Sequence, residues 1–325
     1  MANAYTSVAT TPGLATELVR AAYDKAVKEE LHNRPSMRQF VSVRPGDPAM
    51  RGSSITLEKF PWFDAAAIAA AKTPLTEEAD VDSVKMPGTN PVTITPQEYG
   101  FTVTSTRKLE ARTFAPFDGH KARAVADHMG NVIDSLVQDV MVGGTQVSYS
   151  GAATSNASLV ITDVLKAADV RRAVAIMRSN NVPTWFGGFY AAVWHPFTIL
   201  DLRTETGPTS WRNPSEYGVD QSEIWRGEIS EFEGVRVVSN PTVRWVKDGS
   251  GVAGAQIRSI QNYIFGMDAI VEQALTEPEV RVAPATDKLG RFQTIGWYGD
   301  IGWAVYEQKA LYRVVSASSL NANLI

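Results

Sequence analysis

At 325 residues, 44% hydrophobic and 20% charged, the chain has the makeup of a globular protein with one large or two medium domains and a substantial core. Its lack of cysteine excludes disulfides, thiolate metal sites and cysteine nucleophiles. A formal net charge of −4 without a Lys/Arg cluster argues against a nucleic-acid-binding surface, and the histidines (His32, His120, His128, His195) form no HxH, HxxxH or HExxH pair for a metal. No apolar run reaches the roughly 18 residues of a membrane span, and the start lacks a basic-then-apolar signal pattern, so no membrane role is expected.

Residues 1–13 are small and polar and read as a loose arm. Thr16 to about Asn33 carries Val19, Ala22, Tyr23, Ala26, Val27 and Leu31 at helical spacing. The next stretch, NRPSMRQFVSVRPGDPAMRG, has three prolines and little periodicity, which predicts an extended connector lying along something else. Ser53 to Phe60 alternates as a strand, and Gln97 to Thr106, with Phe101 and Val103 between threonines, reads as its antiparallel partner. The long insert between them is alanine-rich, then acidic, then broken by Pro87-Gly88 and Pro91, so it has no core of its own and should bind something.

Charge is uneven here. Residues 61–100 carry six acidic side chains against two basic ones, whereas residues 31–60 carry five basic against two acidic. The acidic run Glu77, Glu78, Asp80 and Asp82 and the basic residues Arg34, Arg38 and Arg44 can pair within one subunit or across two, which makes all seven candidate subunit-interface residues.

Asp118 to Gly144 is the spine of the reading. Val125, Met129, Val132, Ile133, Leu136, Val137, Val140 and Met141 fall on one helical face. Asp118 is the expected N-cap, and Gly143-Gly144 the expected left-handed stop. TQVSYSGAATSNAS then reads as a polar linker and domain boundary. Beyond it, Thr162 should cap a helix or helix pair running to about Asn180, FYAAVW (189–194) should be a buried strand, and FTILDLR a short helix. Residues 205–230 read as loop anchored by Trp211, Tyr217 and Trp225. GVRVVS and QNYIF are expected strands, Ala269–Leu275 a short helix, and four late strands from Val280 to Val315 a sheet beneath the spine. The mixture is α+β.

Catalytic signatures are thin. His195 with Asp201 nearby is the best acid–base candidate, but no GxSxG elbow or phosphate loop accompanies it, and the turn glycines stand alone. No enzyme activity, cofactor or metal is expected.

The order of pieces resembles the major capsid protein of tailed bacteriophages, the fold first described for phage Hong Kong 97, and within it the capsid family named after an enterobacterial podovirus. The resemblance is carried by Tyr99-Gly100 leading into FTVTSTRKLEART, by Val193-Trp194-His195-Pro196 with Asp201-Leu202-Arg203, and by Trp225-Arg226-Gly227-Glu228-Ile229 with Gly234–Val238. It continues through Ile264-Phe265-Gly266, Leu289-Gly290, Ile295-Gly296-Trp297 and Leu311-Tyr312-Arg313-Val314. These segments cover roughly residues 34–318, and the Ala-rich, acidic insert at 64–85 departs from the pattern.

The resemblance implies an N-terminal arm (1–50), an extended loop (51–106), a peripheral domain (107–159 and 276–325, with the spine over 118–142) and an axial domain (160–275). It implies a virion subunit that assembles with itself as pentamers and hexamers into an icosahedral shell around double-stranded DNA, assisted by scaffolding, portal or decoration proteins. With no long charged N-terminal extension, a scaffold would be a separate protein. The alternatives are a bacterial encapsulin-like nanocompartment shell and a hydrolase using His195 and Asp201.

Overall fold

The structure, a computed structural model, describes residues 37–45, 54–61, 63, 65–72, 74, 77, 80, 85–112, 117–185, 187–206, 232–250, 256–283 and 289–320. Arg34, Glu78, Asp82, the helix expected over 16–33 and the expected anchors Trp211, Tyr217 and Trp225 lie outside the described residues. In chain order the elements are β1 (Ser42–Pro45), β2 (Ile55–Leu57), α1 (Ala65–Ala71), β3 (Val92–Ile94), β4 (Gln97–Thr106), α2 (Arg107–Arg112) and α3 (Phe117–Val142). There follow β5 (Gln146–Tyr149), α4 (Ala167–Ser179), β6 (Tyr190–Trp194), α5 (Pro196–Thr204), β7 (Val235–Ser239) and β8 (Trp245–Ser250). The chain closes through β9 (Gln256–Phe265), β10 (Ile270–Ala283), β11 (Phe292–Val305) and β12 (Leu311–Ser316).

The spine helix α3 has 26 residues, about 39 Å at 1.5 Å per residue. It begins at Phe117, so Asp118 sits in the first turn and not at the cap. Its end is not a left-handed glycine either, since neither Gly143 nor Gly144 has positive φ. Their amides donate to the Val140 and Met141 carbonyls at 3.0 and 3.1 Å. A Cβ on Gly144 would lie 2.9 Å from Leu311 Cδ2, so the glycine serves close packing against β12.

Two sheets share this spine. A four-stranded sheet runs β1-β10-β11-β4, with β1 parallel to β10 and the other pairs antiparallel. On it, Val125 of the spine packs with Ile295 and Trp297, bordered by Tyr99, Val103, Met129 and Val132. The second sheet, β5-β12-β9-β6-β7 with β8 beside β9, holds the main core. Ile133, Val137 and Met141, on later turns of the spine, belong to that core, and burying each contributes about 1.5–3 kcal/mol. β6 is buried along its whole length, as its unbroken apolar run requires.

Several expected pairings are corrected. β2 pairs with β3, from Ile55↔Ile94 to Leu57↔Val92, while β4 pairs with β11, from Gln97↔Ile301 to Thr106↔Phe292. Pro96, which has no N–H to donate, separates the small hairpin from the large sheet. Ala269–Leu275 is not a helix, because Ile270 to Ala274 open β10 and are buried consecutively, and burial of both strand faces overrides the helix preference of Ala, Glu, Gln and Leu. The expected linker contains β5, parallel to β12. β12 itself joins β5 and β9, not the sheet beneath the spine. Helix α4 starts at Ala167, with Asp169 accepting from the Lys166 amide at 3.3 Å, so Thr162 is not its cap.

Candidate subunit interface

The connector is strapped to its own chain over residues 37–45. The Met37 amide donates to Asp134 Oδ1 on the spine at 2.6 Å, and Asp134 Oδ2 accepts the Thr242 hydroxyl at 3.0 Å. Arg38 Nε donates to both Glu272 oxygens at 3.1 and 3.0 Å, and its Nη2 reaches Glu272 at 2.5 Å and Glu277 at 3.0 Å. Trp303 Nε1 adds a bond to Glu272 at 2.9 Å. The Arg38 guanidinium is held above its ordinary pKa, chiefly by the hydrogen bonds it donates to Glu272, against the opposing effect of burial. Phe40 stacks on Phe265 at 5.4 Å, the Ser42 hydroxyl donates to Asp268 at 2.7 Å, and β1 then joins β10. Arg38 is thus engaged within its own subunit.

A second cluster forms where the strap, the loop base and the C-terminal stretch meet. The Arg44 guanidinium lies 5.2 Å from the centre of the Tyr306 ring and the Lys59 ammonium 5.8 Å from it. Lys59 forms an ion pair with Glu307, which also accepts from the Lys309 amide at 3.3 Å. Burial first, then the Lys309 charge, pushes the Lys59 ammonium below its ordinary pKa. The Lys309 side chain is exposed.

Above this base the hairpin is anchored by Ile94. It packs over Gly302, where a Cβ would lie 2.8 Å from Ile94 Cγ2 and 3.0 Å from Pro96 Cα. Farther out, Phe60, Phe63, Ile68 and Met86 are exposed, a density of uncovered apolar side chains that marks an interaction surface. Glu77 and Asp80 are exposed on the same loop, and among the described residues Glu77 forms no ion pair with Arg38 or Arg44. Lys59, Tyr306, Glu307 and Lys309 escape sequence reasoning because nothing in one dimension connects positions so far apart.

His195 and Asp201 have other work. His195 caps α5, its Nδ1 accepting the Phe197 amide at 3.2 Å, and burial together with Arg258 lowers its pKa from 6.5 to about 4. Asp201 accepts the Ser319 amide at 3.2 Å and also the Ser319 hydroxyl. A cleft of about 370 Å³ beside the spine is lined by Asn131, Asp134, Ser135, Gln138, Asp139, Thr242 and Arg244. Its polar groups are turned on one another: Gln138 Nε2 donates to the Thr242 carbonyl at 3.0 Å, the Arg244 amide to Gln138 Oε1 at 2.8 Å, and Arg244 pairs with Asp139. Among the described residues no group of three or more His, Asp or Glu converges as a metal would require, and no helix is long and apolar enough to cross a membrane.

The model of the phage capsid protein family matches residues 78–277. No curated protein matches the chain in sequence. Among solved structures, the capsid of cyanophage P-SCSP1u is 14% identical with a TM-score of 0.72, covering 95% of this chain and 96% of that one. The capsid of Ralstonia phage GP4 is 14% identical with a TM-score of 0.68, covering 95% and 98%. A chain of Mycobacterium phage Che8 is 16% identical with a TM-score of 0.65, covering 91% and 97%. At such identities the likeness is one of fold, the Hong Kong 97-like fold, with a spine helix laid across two sheets and a loop reaching away from them. Since the family model spans most of its length, the chain belongs to the phage capsid protein family.

Proposed function

We propose that this major capsid protein, a structural subunit of a tailed-phage head, closes with copies of itself into pentamers and hexamers of an icosahedral shell around double-stranded DNA. The observation that carries the reading is the family match over residues 78–277. The exposed Phe60, Phe63, Ile68 and Met86 support it, because a loop with uncovered apolar side chains and no core needs a neighbour. Of the arm (1–50), residues 37–45 bind their own subunit; the rest of the arm and the loop (51–106) would lie over adjacent copies, the spine with residues 276–325 would form the peripheral domain, and residues 160–275 the axial domain around the symmetry axes. The net charge of −4 suits a container whose DNA slides in and out without adhering. Scaffolding, portal and decoration proteins are the further partners such a head would take.

Negative-stain microscopy and size-exclusion chromatography of the protein expressed alone test the reading. Closed particles, or sheets of hexamers and pentamers, are expected. A stable monomer at high concentration would overturn it.

A further inference from the structure

We infer that Arg44 and Lys59 at Tyr306, together with Lys309 beside Lys59, form the docking surface for the acidic run Glu77–Asp82 of a second copy of this chain. The inference rests on the shell reading and adds to it the surface on which the loop lands. Two cations, Arg44 from β1 and Lys59 from the loop base, meet at the Tyr306 ring, and the charge of Lys309, from the stretch after β11, acts on Lys59. Among the described residues the carboxylate bonded there is Glu307, which Lys59 and the Lys309 amide already share. Bringing like charges together costs free energy in an isolated subunit; burial first, and then the Lys309 charge, lowers the Lys59 pKa. The arrangement calls for an anion.

The matching charge is in the same sequence. Glu77, Glu78, Asp80 and Asp82 place four carboxylates within six residues on a loop whose Glu77 and Asp80 are exposed. Of the basic residues named from the sequence, Arg38 is engaged by the buried Glu272, while Arg44 faces a ring and no carboxylate among the described residues. A surface on one copy that takes the loop of the next is a heterologous contact, the kind that closes into rings. Both sides are solvent-accessible, so the attraction is screened over about 8 Å at physiological ionic strength.

The test compares particle yield, by sedimentation and microscopy, for the wild type, Lys309→Glu, Glu77→Lys/Glu78→Lys, and the three substitutions combined. Each reversal alone is expected to lower the yield of closed particles about tenfold or more, because one weakened contact is repeated at every loop of the shell. The combined variant should recover most of it, and added salt should lower the wild-type yield. Melting curves of the unassembled proteins, with Lys309→Gln as a neutral control expected to lose yield at an unchanged melting temperature, separate assembly from folding. Undiminished particles from both reversals, or a combined variant no better than either, overturn the docking surface while wild-type shells leave the capsid reading intact. Wild-type protein that remains monomeric overturns the capsid reading itself.

Discussion

Arg38→Ala should be among the most damaging single substitutions in the subunit. Glu272 is fully buried, whereas the Arg38 side chain keeps 35% of its exposure. Removing Arg38 strips the carboxylate of its cation and of three of the side-chain bonds it receives, leaving the Trp303 indole at 2.9 Å. Breaking a buried pair by removing one partner costs about 3–5 kcal/mol, and the partial exposure of this pair places the loss near 3. Glu272→Gln keeps the shape without the charge and leaves Arg38 free to turn toward Glu277, so it should cost about 1 kcal/mol. In the double variant no charge remains buried, and the combined cost should fall about 2 kcal/mol short of the sum. Urea denaturation of unassembled protein measures all three. Strict additivity, or a loss below about 1 kcal/mol for Arg38→Ala, would refute the claim that the arginine is there to neutralise Glu272.

Three other outcomes follow from the same geometry. His195, at about 4 when folded against 6.5 when free, binds its proton more readily in the unfolded chain; its contribution is intact above 6.5 and falls as the pH drops toward 4, by about 3 kcal/mol at pH 4. His195→Asn keeps a capping acceptor but cannot titrate, so its stability between pH 7 and 4 should decline less steeply than that of the wild type; parallel curves would contradict this. Gly302→Val should displace Ile94 and Pro96 and cost about 1–3 kcal/mol, seen as faster proteolysis of the hairpin loop. Asp134→Ala should cost about 2 kcal/mol by orphaning the Met37 amide, the Thr242 hydroxyl keeping Asn240 Oδ1 at 2.8 Å, with hydrogen exchange rising first at residues 37–45.

Where the sequence repeats a strong local period, it announces the element. The spine, the buried run of β6 and the alternation of β7 were legible for that reason. Partner choice was not. The alternating Phe101 and Val103 show that β4 is a strand with one covered face, but nothing in them tells β2 from β11, and the answer depends on Pro96 interrupting the ladder. β10 was misread at its start because a strand buried on both faces has no alternation, and a fully buried Glu272 looks in sequence like an ordinary helix-surface glutamate. Among the interface candidates, the charge asymmetry singled out one stretch of chain. It could not reveal that Arg38 is satisfied at home while Arg44 is joined by Lys59 and Lys309.

The strap sets a timetable for synthesis. Arg38 and Glu272 are 234 positions apart, and Ser42 and Asp268 are 226 apart. A ribosome adding about 5–20 residues per second leaves residues 37–45 waiting roughly ten to fifty seconds before β10 exists to receive them. Contacts of such long sequence separation also form late once the chain is free. The cationic cluster waits longer still, since Arg44 arrives with the strap but Tyr306 and Lys309 follow it by 262 and 265 positions. If the cluster receives a neighbour's loop as proposed, a nascent chain has no finished surface for it, and copies growing side by side on one message cannot join there until each has closed on itself.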